Sequence, residues 1–311
     1  MPNWKQLLDE LRAKGSTHDL LRREYLEKLQ KLTGRNVIAY YSGWLQKGQL
    51  AGQGIRFDIN DSDKNGFMTT IHELDREQGL DLILHTPGGS TSATESLVDY
   101  LRQMFGTNIR AIIPQIAMSA GSMIALSCDE IIMGKHSSIG PIDPQIGGLP
   151  AHAVIEEFHS AAADVGQNQF MAHVWGPILG KYHPTIYGAC QKAIKWSETM
   201  TKEWLGTGMF RGIQDDAARE ERIKKVMEGL GSHAITLAHD RHISLKRAQD
   251  LGLNATALEQ EDRVDLQEAV LSVHHLFIQT LAGTAAYKII ENHLGVAYIE
   301  HVQPVMQIGP A

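Results

Sequence analysis

Apolar residues recur along this chain with two alternating periods. Leu20, Leu21, Tyr25, Leu26 and Leu29 fall at helical spacing and predict an amphipathic helix closed by Gly34. Val37-Ile38-Ala39-Tyr40-Tyr41 then reads as a strand, and the Gly/Gln-rich residues 46–54 read as a loop. Phe67, Ile71 and Leu74 mark a helix that ends at Gly79. Leu80-Asp81-Leu82-Ile83-Leu84 is nearly continuous in apolar character, as a sheet covered on both faces requires. A helix follows. Ser92 and Glu95 form its capping box, Leu97, Val98, Leu101, Met104 and Phe105 its buried stripe, and Gly106 its stop. Residues 109–114 and 130–133 are further strands. Strand and helix alternating at this spacing predict a parallel α/β core.

Beyond residue 144 the pattern changes. Residues 151–230 are mostly helical, 243–253 return to a short helix and turn, and 264–294 read as a long helical region interrupted near Gly283. The chain therefore divides into an N-terminal helical segment (1–35), an α/β domain (36–254) and a C-terminal helical extension (255–311). There is no repeat of fixed period and no low-complexity tract.

Composition narrows the function classes. A chain of 311 residues can bury a full core. Its formal net charge of −7 is spread along the sequence, with no basic block to attract nucleic acid or an anionic membrane surface. The two cysteines, Cys128 and Cys190, sit in apolar helix patterns outside any CxxC, so a reducing compartment fits. Met1-Pro2-Asn3-Trp4-Lys5-Gln6 lacks the apolar stretch of a signal peptide, and no apolar run reaches the length of a membrane span. A soluble cytoplasmic protein is the expectation.

The candidate chemistry lies at two small-residue turns. Ala117-Met118-Ser119-Ala120-Gly121 joins an apolar strand to an apolar helix, a loose relative of the G-x-S-x-G nucleophile elbow. Ser119 is either an exposed nucleophile or an ordinary helix N-cap. Thr86-Pro87-Gly88-Gly89-Ser90 ends the preceding strand. In a parallel sheet, turns at the carboxyl ends of neighbouring strands share one edge, where ligands bind. Two glycines there leave N–H groups free to face a substrate oxygen. The turn matches neither G-x-G-x-x-G nor a P-loop, so phosphate binding is not expected.

Leu82-Ile83-Leu84-His85-Thr86-Pro87-Gly88-Gly89, Ala117-Met118-Ser119-Ala120-Gly121-Ser122 and Ser138-Ile139-Gly140-Pro141-Ile142-Asp143-Pro144-Gln145 together resemble the serine dehydrogenase proteinase family. That family belongs to the ClpP/crotonase superfamily, beside the signal peptide peptidase A group. The resemblance runs from about residue 36 to 294. It implies a ClpP/crotonase-like spiral α/β fold with a largely helical C-terminal portion. It also implies a cytoplasmic, ATP-independent, homo-oligomeric serine peptidase acting on peptides or proteins without a cofactor. Residue by residue it points to Ser119 as nucleophile, and to the N–H groups of Gly89 (or Gly88) and Ala120 as the oxyanion hole.

The general base is less direct. Where ClpP carries its catalytic histidine this chain has Gly140-Pro141-Ile142-Asp143, and His136 falls too early. Asp240-Arg241-His242-Ile243-Ser244 resembles the ClpP segment that begins with its catalytic aspartate. Asp240 either orients a base or caps the helix starting near Ser244. Signal peptide peptidases use a downstream lysine, and Lys181 is the candidate by that resemblance, against a plain surface lysine; Lys135 and Lys195 are weaker. A lysine must have its pKa lowered to serve. His239 or His242, beside Asp240, is the rival.

The 15 histidines give no metal motif. His233, His239 and His242 lack zinc spacing, and His72-Glu73 meets Arg76 where HExxH needs histidine. His274-His275 reads as structural or interfacial. Asp143 and Gln145 line a groove or simply stiffen a turn. Two other functions share these residues: crotonase-type acyl-CoA chemistry, with an enolate in the same oxyanion hole, and an inactive oligomeric scaffold.

Overall fold

A computed structural model of the chain describes residues 18–231, 240–260 and 264–302. Its centre is a seven-stranded sheet in the order β10-β5-β3-β2-β1-β11-β12. The strands are β1 (Asn36–Ser42), β2 (Leu80–His85), β3 (Ile109–Ile113), β5 (Glu130–Met133), β10 (Ala255–Ala257), β11 (Ala286–Asn292) and β12 (Ala297–His301). The five strands from β10 to β1 are mutually parallel, in the register Ile38 to Leu82 to Ala111 to Ile131. β11 and β12 extend the sheet antiparallel.

Side chains alternate across the sheet, which explains the unbroken apolar strands. Ile38, Leu82 and Leu84 pack on one face with Phe67 and Ile71 of α3 (Asp63–Ile71) and with Leu97 and Leu101 of α4 (Thr91–Phe105). Val37, Tyr41, Ile83 and Ile112 pack on the other with Leu26 and Leu29 of α1 (His18–Thr33) and with Val270 and Phe277 of α11 (Val264–Gly283).

A second, three-stranded sheet has the order β4-β6-β9: β4 (Ile116–Ala117), β6 (Ser138–Ile139) and β9 (Ile243–Ser244). β4 and β6 are parallel, and β9 runs against β6. β7 (Gln145–Ile146) and β8 (Leu149–Pro150) form a small hairpin. The helical stretch comprises α6 (Ala151–Gln167), α7 (Ala172–Leu179), α8 (Ile186–Thr207) and α9 (Asp216–Gly231). Among the described residues no helix is long and apolar enough to cross a membrane.

Three local expectations are corrected. The cap of α4 is Ser90, not Ser92. Ser90 Oγ accepts the Ala93 N–H at 3.3 Å, while Glu95 is drawn away to accept from Trp196 Nε1 at 3.1 Å. Residues 46–54 are not loop: α2 (Trp44–Lys47) and a 3-10 turn (Gly48–Gln53) occupy them. The C-terminal portion is not a purely helical extension. The helix stops at Gly283, and Ala286–Asn292 pairs with β1 inside the main sheet.

The polar residues Lys288 and Glu291 made that last strand look like a helix with a wet face. Both are instead fully buried and ion-paired. Arg22 Nε meets Glu291 at 2.6 Å, and Lys288 Nζ meets Asp63 at 2.9 Å. Tyr40 donates its hydroxyl to the same Asp63 carboxylate at 2.9 Å. Lys288→Met strands that carboxylate in the core. The expected cost is about 3–5 kcal/mol, read as a lower midpoint in urea unfolding.

Candidate active site

Ser119 stands where β4 gives way to α5 (Ala120–Leu126). Its backbone has φ 49° and ψ −114°, and among the described residues no other non-glycine has a positive φ. An L-residue held there stores about 1–3 kcal/mol of strain. The hydroxyl makes no capping hydrogen bond to the helix it precedes. The position is thus an N-cap in sequence but not in chemistry. What holds the turn is packing around it. Met118 N–H donates to the Thr86 carbonyl at 3.1 Å, and Thr86 N–H to the Ile116 carbonyl at 3.1 Å, which ties the serine turn to the glycine turn. Ser122, fully buried, donates to the Ala117 carbonyl and accepts from Gly140 N–H, each at 2.8 Å, and so fastens the 140–145 turn to the same corner.

The two glycines do different work. Gly88 has φ +100°, and a Cβ there would lie 2.7 Å from the Ser119 Cβ and the Met118 carbonyl. Only glycine lets the turn come this close to the serine. Its N–H is engaged by Thr86 Oγ1 at 3.2 Å, which removes Gly88 as a free donor. The N–H groups of Gly89 and Ala120 have no acceptor among the described residues. Gly89 lies against the Ile59 backbone, where a Cβ would approach within 2.3 Å.

These residues open onto a cleft of about 490 Å³. Asp58, Pro87, Gly88, Gly89, Ser119, Ala120, Met123, Asp143, Gln145 and Trp196 are among the residues that line it. No lysine or histidine is among its described lining. A larger groove of about 870 Å³, lined by Glu198, Lys202, Glu220, Lys224 and Glu228, carries none of the motif residues.

The candidate bases are scattered. Lys181 is exposed in the connection between α7 and α8 and does not line the cleft. Lys195 is also exposed, and the Lys135 N–H is held by Glu259. His239 and His233 lie outside the described residues. Asp240 and His242 are exposed and do not line the cleft either. Asp240 does not cap the following helix, because Ser244 Oγ accepts from Arg247 N–H at the start of α10 (Leu245–Asp250). The register is more informative. β9 runs antiparallel to β6, which is parallel to β4, so the residues before Ile243 lie at the end of the small sheet from which Ser119 emerges.

Buried titratable groups nearby are held neutral. Burial pushes the Cys128 thiol up to about 12, which makes it inert as a nucleophile. Burial also holds the His85 imidazole down at about 3 and His274 well below the usual histidine range. His274 is a core residue, with Nδ1 3.2 Å from the Tyr41 hydroxyl.

A model of the ClpP-like SDH-type serine proteinase family matches residues 10–270, most of the chain. The chain belongs to this family. Two uncharacterized proteins of Methanocaldococcus jannaschii resemble this chain. One is 30% identical over 195 residues, 63% of this chain and 58% of the relative. The other is 28% identical over 210 residues, 68% and 65% respectively. The aligned part thus spans less than two thirds of either relative. The family match ends before β11, so Lys288 lies outside it. Two contacts beside the site come from residues in no motif: Ile59 bonds the glycine turn through its backbone, and Lys288 bonds the Asp58 carbonyl, each from far away along the chain.

Proposed function

We propose that this protein is a serine peptidase with Ser119 as nucleophile. The observation that carries the reading is the positive-φ serine, uncapped, beside the two open N–H groups of Gly89 and Ala120. Ser119 Oγ attacks the carbonyl carbon of a peptide bond, and the base takes its proton. The carbonyl oxygen becomes an oxyanion and accepts from the Gly89 and Ala120 N–H groups. The base then protonates the leaving amine, and water hydrolyses the acyl-enzyme by the reverse sequence. Enolate chemistry on acyl-CoA needs the same donors but no strained serine, so the backbone of Ser119 favours the covalent route.

The register of β9 favours His242 as the base, with Asp240 orienting it; His239, the other histidine beside Asp240, lies outside the described residues. Lys181 is the second choice: like His242 it is exposed and does not line the cleft, but no strand register brings it to the Ser119 end of the small sheet. The remaining features taken from the resemblance go with this proposal: a spiral core over residues 36–254, homo-oligomeric assembly, and cytoplasmic, ATP-independent action.

The test is labelling with a fluorophosphonate followed by peptide mapping. The expected adduct is on Ser119. No adduct, together with a thermal shift on adding acyl-CoA, overturns the peptidase reading. The pH dependence of the labelling rate then assigns the base. An ascending limb abolished by His242→Ala or His239→Ala supports histidine. A limb lost instead in Lys181→Ala, and kept in the histidine variants, supports lysine.

A further inference from the structure

The glycine turn is gripped from outside by a single residue. Ile59 N–H donates to the Gly88 carbonyl at 2.8 Å, and the Ile59 carbonyl accepts from Ser90 N–H at 2.9 Å. Gly89, between these two bonds, is set by where Ile59 lies. Ile59 in turn is held on both sides by one buried ion pair. Lys288 Nζ donates to the Asp58 carbonyl and to Asp63 Oδ1, each at 2.9 Å. Asp63 Oδ2 accepts from Asn60 N–H at 3.0 Å and from the Tyr40 hydroxyl at 2.9 Å. Lys288 is 0% exposed and Asp63 1%.

A buried pair of this kind is commonly no more stabilising than packed apolar residues of the same volume. Here each partner has a bond to main-chain atoms, one on each side of Ile59. Lys288 Nζ gives two of its three N–H donors to Asp63 and the Asp58 carbonyl, is buried, and does not line the cleft, so it is not a candidate base for Ser119.

We propose that Lys288 and Asp63 are positioning residues that aim the Gly89 N–H at the reacting carbonyl oxygen by fixing Ile59. The proposal rests on the reading of Gly89 as an oxyanion donor. It gives the C-terminal strand, which lies beyond the family match, a role in the site.

The test is the paired variant Lys288→Met/Asp63→Leu, which removes both charges together and leaves no stranded ion. Asp63→Asn, close to isosteric, is the second variant should the pair fold poorly. Two quantities are compared with wild type: the second-order rate of fluorophosphonate labelling, and amide exchange at Ile59 and Ser90 relative to Ile112 in β3. The expected result is labelling 10–100-fold slower and exchange at Ile59 and Ser90 at least about tenfold faster while Ile112 is unchanged. A purely structural role moves all three amides together with global stability. Unchanged labelling, or exchange that rises only in step with Ile112, overturns the proposal. If wild type takes up no fluorophosphonate, the peptidase reading fails, and the exchange comparison still decides whether the pair holds the turn.

Discussion

Ser119→Ala is expected to abolish fluorophosphonate labelling and to lower peptide hydrolysis at least about 10³-fold, with stability within about 0.5 kcal/mol of wild type. The hydroxyl makes no hydrogen bond to the helix start, so its removal strands no partner. Ser119→Gly is equally inactive but behaves differently in unfolding. The serine backbone sits at φ 49°, where an L-side chain is strained and glycine is not. Relief of that strain is expected to raise stability by about 1 kcal/mol over Ser119→Ala, after allowance for the extra freedom of glycine in the unfolded chain. Urea unfolding of the three proteins and mass spectrometry after labelling measure both effects. A site that is less stable with its native residue than with glycine is one held for chemistry. If Ser119→Ala still labels, the nucleophile is elsewhere. If Ser119→Gly is less stable than Ser119→Ala, the turn is not strained in solution.

The parts of this site readable from the sequence are those built by neighbours in the chain. β1, β2, β3 and β5 were legible because helices cover the sheet on both faces and make the strands mostly apolar, with single interruptions such as Asp81 and Arg110. The two turns were legible because glycine and small residues announce backbone that must bend or approach closely. Contacts made across the chain were not. Ser90 rather than Ser92 caps α4 because a 3.1 Å bond from distant Trp196 takes Glu95 away. β11 was hidden because Lys288 and Glu291 carry charges that pattern analysis places in water, while Asp63 and Arg22 meet them in the core. The same long-range pairing conceals the Ile59 clamp. The base was ambiguous for a different reason: the stretch Gly140-Pro141-Ile142-Asp143, where the resemblance expects a histidine, holds none, and sequence spacing alone does not bring a distant lysine or histidine to the site.

Acid is expected to unfold this protein beginning below about pH 6.5, through histidines buried without charge. His85 ends β2, immediately before the Thr86-Pro87-Gly88-Gly89 turn, and is fully buried. Its ring lies 4.5 Å from Trp44, 5.3 Å from Tyr41 and 5.4 Å from His274, centroid to centroid. Neither ring nitrogen has a hydrogen-bond partner among the described residues. Burial holds its pKa at about 3, whereas the unfolded chain takes up the proton near 6.5. Between those values the unfolded state binds more protons, so stability falls as pH falls. The slope is up to about 1.4 kcal/mol per pH unit, and His85 alone removes about 5 kcal/mol by pH 3. His274 acts in the same sense, lowered by burial and then by the neighbouring His85, His275 and His136. Above about pH 6.5 both are neutral in either state and contribute no slope. His85→Leu removes the titrating ring and replaces two partnerless nitrogens with apolar atoms. It is expected to move the midpoint of acid unfolding to lower pH and to add about 2 kcal/mol at pH 5, measured by urea unfolding at pH 5 and pH 7.5. A stability difference from wild type that is the same at both pH values removes His85 from the acid transition. The placement of His85 links this to the site, because the strand end it destabilises carries the glycine turn. Loss of fluorophosphonate labelling on acidification is therefore expected to follow the unfolding transition in wild type, and to shift with it in His85→Leu.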